Sequence, residues 1–173
     1  LVLIVFLFNA CSTTPISDRK SFILIPISQE IALGKKAYKS ALKDQKDSDS
    51  KHLINLLRRV GKRIAKVSHL PKLDWEFRLI DSKEMNAFAL PGGKVAVYTG
   101  MLEICKNEAG LATVLSHEIA HVIARHGAQR MSQQLVLTGA LMGASLSLKN
   151  NTQRNIIMSA LGLGVLYGIT LPF

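Results

Sequence analysis

The chain has 173 residues, of which 48% are hydrophobic and 20% charged. The length fits one domain better than two, and the composition is that of a globular protein with a core, which excludes wholesale disorder. Lysine and arginine total 22 against 12 aspartate and glutamate residues, a net charge of +10. Because basic and aromatic residues are not interleaved, we expect solvated basic helix faces and no nucleic-acid partner.

The N-terminal segment is an apolar run, LVLIVFLF, that ends abruptly before Cys11. It is too short to span a bilayer, but it matches the end of a signal-peptide core followed by a cleavage point. Ala10 and Cys11 resemble a bacterial lipobox, although Phe8 stands where leucine is usual. We interpret residues 1–10 as a signal-peptide remnant, Cys11 as a lipid anchor and residues 11–27 as a tether. The alternative is an ordinary buried N-terminal strand.

Hydrophobic periodicity predicts two helices next. Ser28 can cap a helix from Gln29 to Leu42, and residues 52–67 carry apolar side chains three and four positions apart. Both patterns are typical of helices that bury one face.

Three short strands are then predicted from the change of period. Apolar and polar residues alternate around Trp75 to Leu79, and further strands are expected over Met85 to Leu90 and Lys94 to Tyr98. The turn residues Pro91-Gly92-Gly93 separate the last two strands. This part of the chain therefore predicts a small three-stranded sheet.

The second half of the chain is predicted to be helical. Helix is expected over Met101 to Cys105, and Asn107 can cap a longer helix that runs to about His126, where Gly127 can end it. Two apolar stretches follow, residues 135–148 and 156–173. We favour buried helices for them, and a membrane hairpin is the alternative.

The longer helix contains the pattern His117-Glu118-Ile119-Ala120-His121. Residues four apart on a helix point the same way, so the two imidazoles can bind one Zn²⁺. Glu118 is rotated by about 100°, where it can take a proton from an activated water and pass it to a leaving amine. His126 comes nine residues after His117, on the opposite side of a continuous helix, and we interpret it as a capping or surface histidine.

The segment SHEIAHVIARHGAQRMS resembles the active-site helix of the gluzincin zinc metallopeptidases that include HtpX and the CAAX prenyl protease. The segment MNAFALPGGKVAVYTGML is similar to a second hallmark of that family. With the lipobox-like start, the arrangement most resembles the bacterial periplasmic lipoprotein branch. The resemblance implies an α+β, mainly helical, zincin-like domain over residues 28–173, with a small three-stranded sheet beside the active-site helix and one Zn²⁺ per chain.

The resemblance also implies a substrate site. Asn86, Ala87, Phe88 and Ala89 would lie on an edge strand above the zinc, where an extended polypeptide can pair through main-chain hydrogen bonds. Phe88 can also belong to the core, because alternate side chains of a strand face opposite sides.

The family's third zinc ligand is a glutamate on a later helix, in a Glu-x-x-x-Asp setting. From Val122 to Phe173 this sequence contains no aspartate or glutamate. A catalytic zinc normally has three protein ligands and a water. We therefore expect a domain that is incomplete at its C-terminus, as a fragment or as a natural truncation with weak metal binding.

The leading hypothesis is a zinc metalloendopeptidase that cuts unfolded or misassembled envelope proteins, its substrate class coming from the resemblance. The expected location is the periplasmic side of the bacterial envelope, with a lipid on Cys11 as membrane anchor. Ser12 after the cysteine favours the outer membrane. The alternatives are a non-catalytic, chaperone-like or peptide-binding module, and an integral membrane protease with residues 135–173 as a hairpin.

Overall fold

The structure, a computed structural model, describes residues 11–13, 20–147, 152, 153, 155, 156 and 159. Its elements in chain order are β1 (Cys11–Thr13), β2 (Lys20–Phe22), α1 (Ile27–Ala41), α2 (Lys51–Val67), β3 (Glu76–Ile80), β4 (Ala87–Leu90), β5 (Lys94–Tyr98), α3 (Thr99–Cys105), α4 (Glu108–Ile123) and α5 (His126–Ser147). The predicted α+β class, mainly helical with a small three-stranded sheet, is confirmed.

The three-stranded sheet has the order β3-β5-β4, with β5 parallel to β3 and antiparallel to β4. All five residues of β5 are buried, as expected for a central strand covered on both faces. Between β4 and β5, Gly92 and Gly93 adopt φ angles of 89° and 77°, which glycine tolerates without steric cost. This turn leaves β4 as an edge strand.

Helices cover both faces of the sheet. On one face, α2 and α4 pack against β3 and β5 in a cluster that includes Leu57, Val95 and Leu115, each 0% exposed. On the other face, Tyr38 of α1 and Leu42, which follows the helix, pack against the sheet, and the Tyr38 hydroxyl donates to the Val95 carbonyl at 3.2 Å. The sheet is therefore the middle layer, and α4 is held directly against it.

The N-terminus of α1 differs from the prediction. The helix begins at Ile27 after Pro26, and no side chain caps it, so the predicted Ser28 cap is wrong. Pro26 has a φ of −59°, which its ring fixes, and its carbonyl accepts the Glu30 N–H at 2.9 Å. The proline thus starts the helix two residues earlier than a serine cap would.

Part of the predicted tether over residues 11–27 packs on the domain. Strands β1 and β2 pair antiparallel, with Cys11 opposite Phe22; the Cys11 side chain lies outside the described residues. The Leu24 N–H donates to Ser132 Oγ of α5 at 2.8 Å, and Ile25 is buried. The segment before α1 is therefore attached to α5.

Helix α5 contains nearly all of the first predicted apolar stretch, but Leu135, Val136, Leu137 and Met142 are exposed, so the predicted burial of this stretch is wrong. The helix packs on the domain through its first turns, where Ala128 and Ser132 are buried. Most of residues 156–173 lie outside the described part of the chain. Among the helices that the structure describes, none is both long enough and apolar enough to cross a membrane.

Candidate active site

Two histidine side chains, one helical turn apart on α4, lie close together. Nε2 of His117 and Nε2 of His121 lie 2.9 Å apart, with the rings at 89° to each other. Two imidazole nitrogens bound to one tetrahedral zinc at 2.0–2.1 Å would lie about 3.3 Å apart. The pair therefore fits two ligand positions of a zinc ion with only a small adjustment.

The surroundings of His121 favour the form that binds metal. Burial lowers the pKa of its imidazole, and the neighbouring His117, His126 and Arg130 charges lower it further. A metal-ligating histidine must be neutral. The lowered pKa therefore makes the lone pair of His121 available at neutral pH.

The C-terminus of α4 differs from the prediction in a way that affects the site. The helix ends at Ile123, not near His126, and Arg125 takes a left-handed φ of 56°. Arg125 Nε donates to Glu30 Oε2 at 2.8 Å and its Nη2 donates to the Ile25 carbonyl at 3.0 Å. These hydrogen bonds stabilise the turn between α4 and α5. Because α4 ends before this turn, the predicted stop at Gly127 is wrong.

Because the helix ends early, His126 turns back towards the pair. Its Nδ1 lies 2.6 Å from Nδ1 of His121, so one of these nitrogens donates and the other accepts. When His121 Nδ1–H donates, its Nε2 is left unprotonated and faces His117. A partner on the second ring nitrogen orients metal-binding histidines in this way. His126 is thus a neighbour of the pair that the continuous-helix interpretation missed.

Glu118 of α4 lines the same groove as the edge strand β4. Burial raises the pKa of its carboxyl group, while the charge of His117 and a hydrogen bond from the Ala89 backbone lower it. The net pKa is raised. A carboxylate whose pKa moves towards neutrality is better suited to shuttling protons at neutral pH.

Strand β4 offers its open edge to the same place. The Asn86 carbonyl accepts the Tyr98 N–H at 3.0 Å, and pairs in an antiparallel ladder are hydrogen-bonded alternately. The main-chain groups of Ala87 and Ala89 therefore point away from β5. Phe88 instead directs its backbone to β5 and its ring towards Tyr38 and Tyr98, with centroids 6.4 and 6.3 Å away.

All seven residues predicted to bind metal or substrate or to catalyse line one groove of about 640 Å³: Asn86, Ala87, Phe88, Ala89, His117, Glu118 and His121. Glu30, His126 and Arg130, which sequence reasoning did not select, line it too. Over the described residues, no group of three histidine, cysteine or acidic side chains is arranged to hold a metal. The groove thus contains two imidazoles that could ligate a zinc ion, a carboxylate and an open strand edge.

The sequence of this chain is similar to those of known metallopeptidases. The model of peptidase family M48 matches residues 53–173. The mitochondrial metalloendopeptidase OMA1 of Schizosaccharomyces pombe is 36% identical over 172 residues, covering 98% of this chain and 49% of that protein. Its Saccharomyces cerevisiae counterpart is 32% identical over 142 residues, 74% of this chain and 41% of that protein. The chain therefore spans about half the length of these relatives.

A bacterial relative matches less of the chain. The beta-barrel assembly-enhancing protease of Escherichia coli is 37% identical over 82 residues, 47% of this chain and 17% of that protein. Since the two yeast relatives, which match 98% and 74% of the chain, are mitochondrial proteins, the predicted lipid-anchored location on the periplasmic side of the bacterial envelope is wrong. An apolar run before a small residue and a cysteine is a short pattern with a high risk of false matches.

The family match includes both blocks that carried the resemblance, the edge strand and the HExxH helix. The predicted metallopeptidase class is confirmed by the family and by the metalloendopeptidase names of the relatives. The chain belongs to peptidase family M48.

Proposed function

We propose that this chain carries the catalytic groove of a zinc-dependent endopeptidase. His117 and His121 would supply two of the zinc ligands, and Glu118 would act as the general base. The observation that supports this most directly is the 2.9 Å approach of the two Nε2 atoms in a groove that Glu118 and the edge strand β4 also line.

The chemistry divides between the metal and the chain. When bound by His117 and His121, zinc would polarise the scissile carbonyl and lower the pKa of a water, so that this water gives up a proton readily and becomes a nucleophile. Glu118 accepts the proton of that water and passes it to the leaving amine nitrogen. The Ala89 N–H, whose hydrogen bond lowers the pKa of this carboxyl group, would hold the carboxylate beside β4, so proton transfer would occur next to a polypeptide bound along that strand.

The open edge of β4 would hold the substrate. A polypeptide in extended conformation can pair with the outward main-chain groups of Ala87 and with the carbonyl of Ala89. Because every peptide has the same backbone, this mode of binding tolerates many sequences. Such tolerance suits the hydrolysis of unfolded or misassembled proteins, and we extend the proposal to quality control on that ground and on the family resemblance.

The test compares purified wild-type protein with Glu118→Gln and with Glu103→Gln, a control at an exposed glutamate of α3. We expect one zinc per chain in all three by elemental analysis at excess zinc, because His117 and His121 supply only two of the three protein ligands that a catalytic zinc normally has. Hydrolysis of an unfolded protein substrate should fall by roughly 10²–10⁴-fold in Glu118→Gln only. The double variant His117→Ala/His121→Ala should lose the zinc.

Two results would count against the proposal. Undiminished hydrolysis by Glu118→Gln would remove this residue from the chemistry. Binding of extended peptides without any zinc, even at excess metal, would favour the non-catalytic peptide-binding alternative.

A further inference from the structure

A second, apolar groove lies beside the candidate active site, between α1 and α5. Its volume is about 850 Å³, within the range of ligand-binding clefts. Leu33 of α1 and Leu135 of α5 line it and are 46% and 57% exposed. Single exposed leucines are ordinary, but apolar residues that together line one concave surface indicate a binding site.

The two grooves share a wall. Leu90 and Pro91, at the end of β4, line both of them, and so do Gly127 and Arg130 at the start of α5. A Cβ on Gly34 would overlap the Pro91 carbonyl oxygen, so this glycine allows α1 to approach the end of β4 closely. The apolar groove is therefore a continuation of the active-site groove beyond the edge strand.

The direction of β4 leads a bound chain into this groove. A polypeptide paired with Ala87 and with the Ala89 carbonyl advances about 3.3 Å per residue along the strand. The ladder ends at Leu90, so the next residues of the bound chain pass Pro91 and lie between α1 and α5. Their side chains would meet Leu33 and Leu135.

One polar atom of the groove fits the same occupant. Gln134 lines it, and its side-chain Nε2 is buried without a hydrogen-bond partner in the described part of the protein. A buried donor left unpaired is costly. A main-chain carbonyl of a bound polypeptide could accept a hydrogen bond from Gln134 Nε2, and every polypeptide substrate has such carbonyls.

We propose that this groove binds a run of large apolar side chains on one side of the scissile bond. The protein would thus select extended polypeptides whose apolar segments are exposed, as they are in unfolded chains. This inference rests on the proposed function for its occupant, and it adds a determinant of substrate choice that the backbone-binding edge cannot supply.

The experiment measures binding rather than hydrolysis, by fluorescence anisotropy with Glu118→Gln protein. The probes are two labelled peptides of about ten residues, which extend over roughly 33 Å at about 3.3 Å per residue. One contains only serine, threonine and glutamine, and the other has a Leu-Phe-Leu block. Leu135→Gln is compared with Leu137→Gln, a control on the same helix that is 49% exposed and does not line the groove.

We expect the apolar peptide to bind about tenfold more tightly than the polar one, and Leu135→Gln to weaken only the apolar peptide by about fivefold. Leu137→Gln should leave both affinities unchanged. Equal affinity for the two peptides, or equal losses in the two variants, would overturn the proposal. So would protection of a Leu135→Cys thiol from maleimide in the free protein, because residues of the same chain would then fill the groove.

Zinc content and the Glu118→Gln hydrolysis test are independent of these affinities. If zinc binding fails while the affinity for the apolar peptide still depends on Leu135, the groove is a peptide-binding surface and the protease assignment is wrong. If zinc binding and hydrolysis succeed without that dependence, only the groove assignment is overturned.

Discussion

The ion pair between Arg125 and Glu30 stabilises the turn between α4 and α5, and its removal should lower the free energy of unfolding substantially. The Glu30 side chain is 6% exposed and the Arg125 side chain 20% exposed, with 2.8 Å between charged atoms. Arg125→Ala leaves the Glu30 carboxylate buried without its cationic partner. Breaking a buried pair in this way costs about 3–5 kcal/mol, and the partial exposure of Arg125 places the expected loss near 3 kcal/mol.

The backbone conformation of Arg125 makes a second contribution to stability, which can be measured separately. Its φ of 56° is unfavourable for a residue with a Cβ by about 1–2 kcal/mol, and glycine avoids this cost. Arg125→Gly should therefore be less destabilising than Arg125→Ala by about 1 kcal/mol. Both variants lose the same ion pair, so the difference between them isolates the strain.

The cost of Arg125→Ala should depend on pH. Burial raises the pKa of Glu30 above 4.5 even with Arg125 present, and removing the arginine raises it further. A carboxyl group whose pKa is higher in the folded state than in the unfolded state favours folding only while protonated. The destabilisation should therefore be smallest at or below about pH 4.5 and grow as the pH rises through the folded-state pKa.

Urea unfolding at pH 5 and pH 7 measures these terms, with fluorescence of the single tryptophan, Trp75, as the signal. Trp75 stacks on Phe77 with 6.2 Å between ring centroids, so it reports on the core. Glu30→Gln in the same background should recover part of the stability lost in Arg125→Ala. A loss below about 1 kcal/mol at pH 7, or additive effects of the two substitutions, would refute the buried-pair interpretation.

Three further substitutions test the packing and the surface charges. Gly61→Ala should destabilise the fold by about 1–3 kcal/mol, because its Cβ would overlap the Phe77 ring; unchanged urea stability would contradict this contact. Gly139→Ala, with nothing within 4 Å of the added Cβ, should instead stabilise the helix by about 0.5–1 kcal/mol, and a loss in the same assay would show hidden contacts. Arg59 lowers the pKa of Glu108 below 4.5, so their pairing stabilises the fold above that pH and is lost as the pH falls through the folded-state value. The Tm difference between wild type and Arg59→Gln should accordingly shrink below pH 4.5, and a difference that persists in acid would point to packing instead.

Local sequence patterns determined the elements and the chemistry. The spacing of His117 and His121 needs only helical geometry to bring the imidazoles together, and the alternation in β3 and the glycines of the β4–β5 turn act over a few residues. The Asn107 cap was predictable for the same reason, since its Oδ1 accepts the Gly110 N–H three residues away, at 2.9 Å. The order and approximate positions of the helices and strands, and the seven predicted residues of the candidate site, could be read from such short-range rules.

Contacts between distant segments decided the rest. The α4 helix ends at Ile123 because Arg125 is bonded to Glu30, 95 residues earlier in the chain, and no local signal near Gly127 reveals that partner. The contact of His126 with His121 follows from this break. The strand order β3-β5-β4, which leaves β4 at the edge, and the groove between α1 and α5 likewise depend on packing. Tertiary structure alone brings together residues that share no local pattern, because burial and pairing energies act regardless of their separation in sequence.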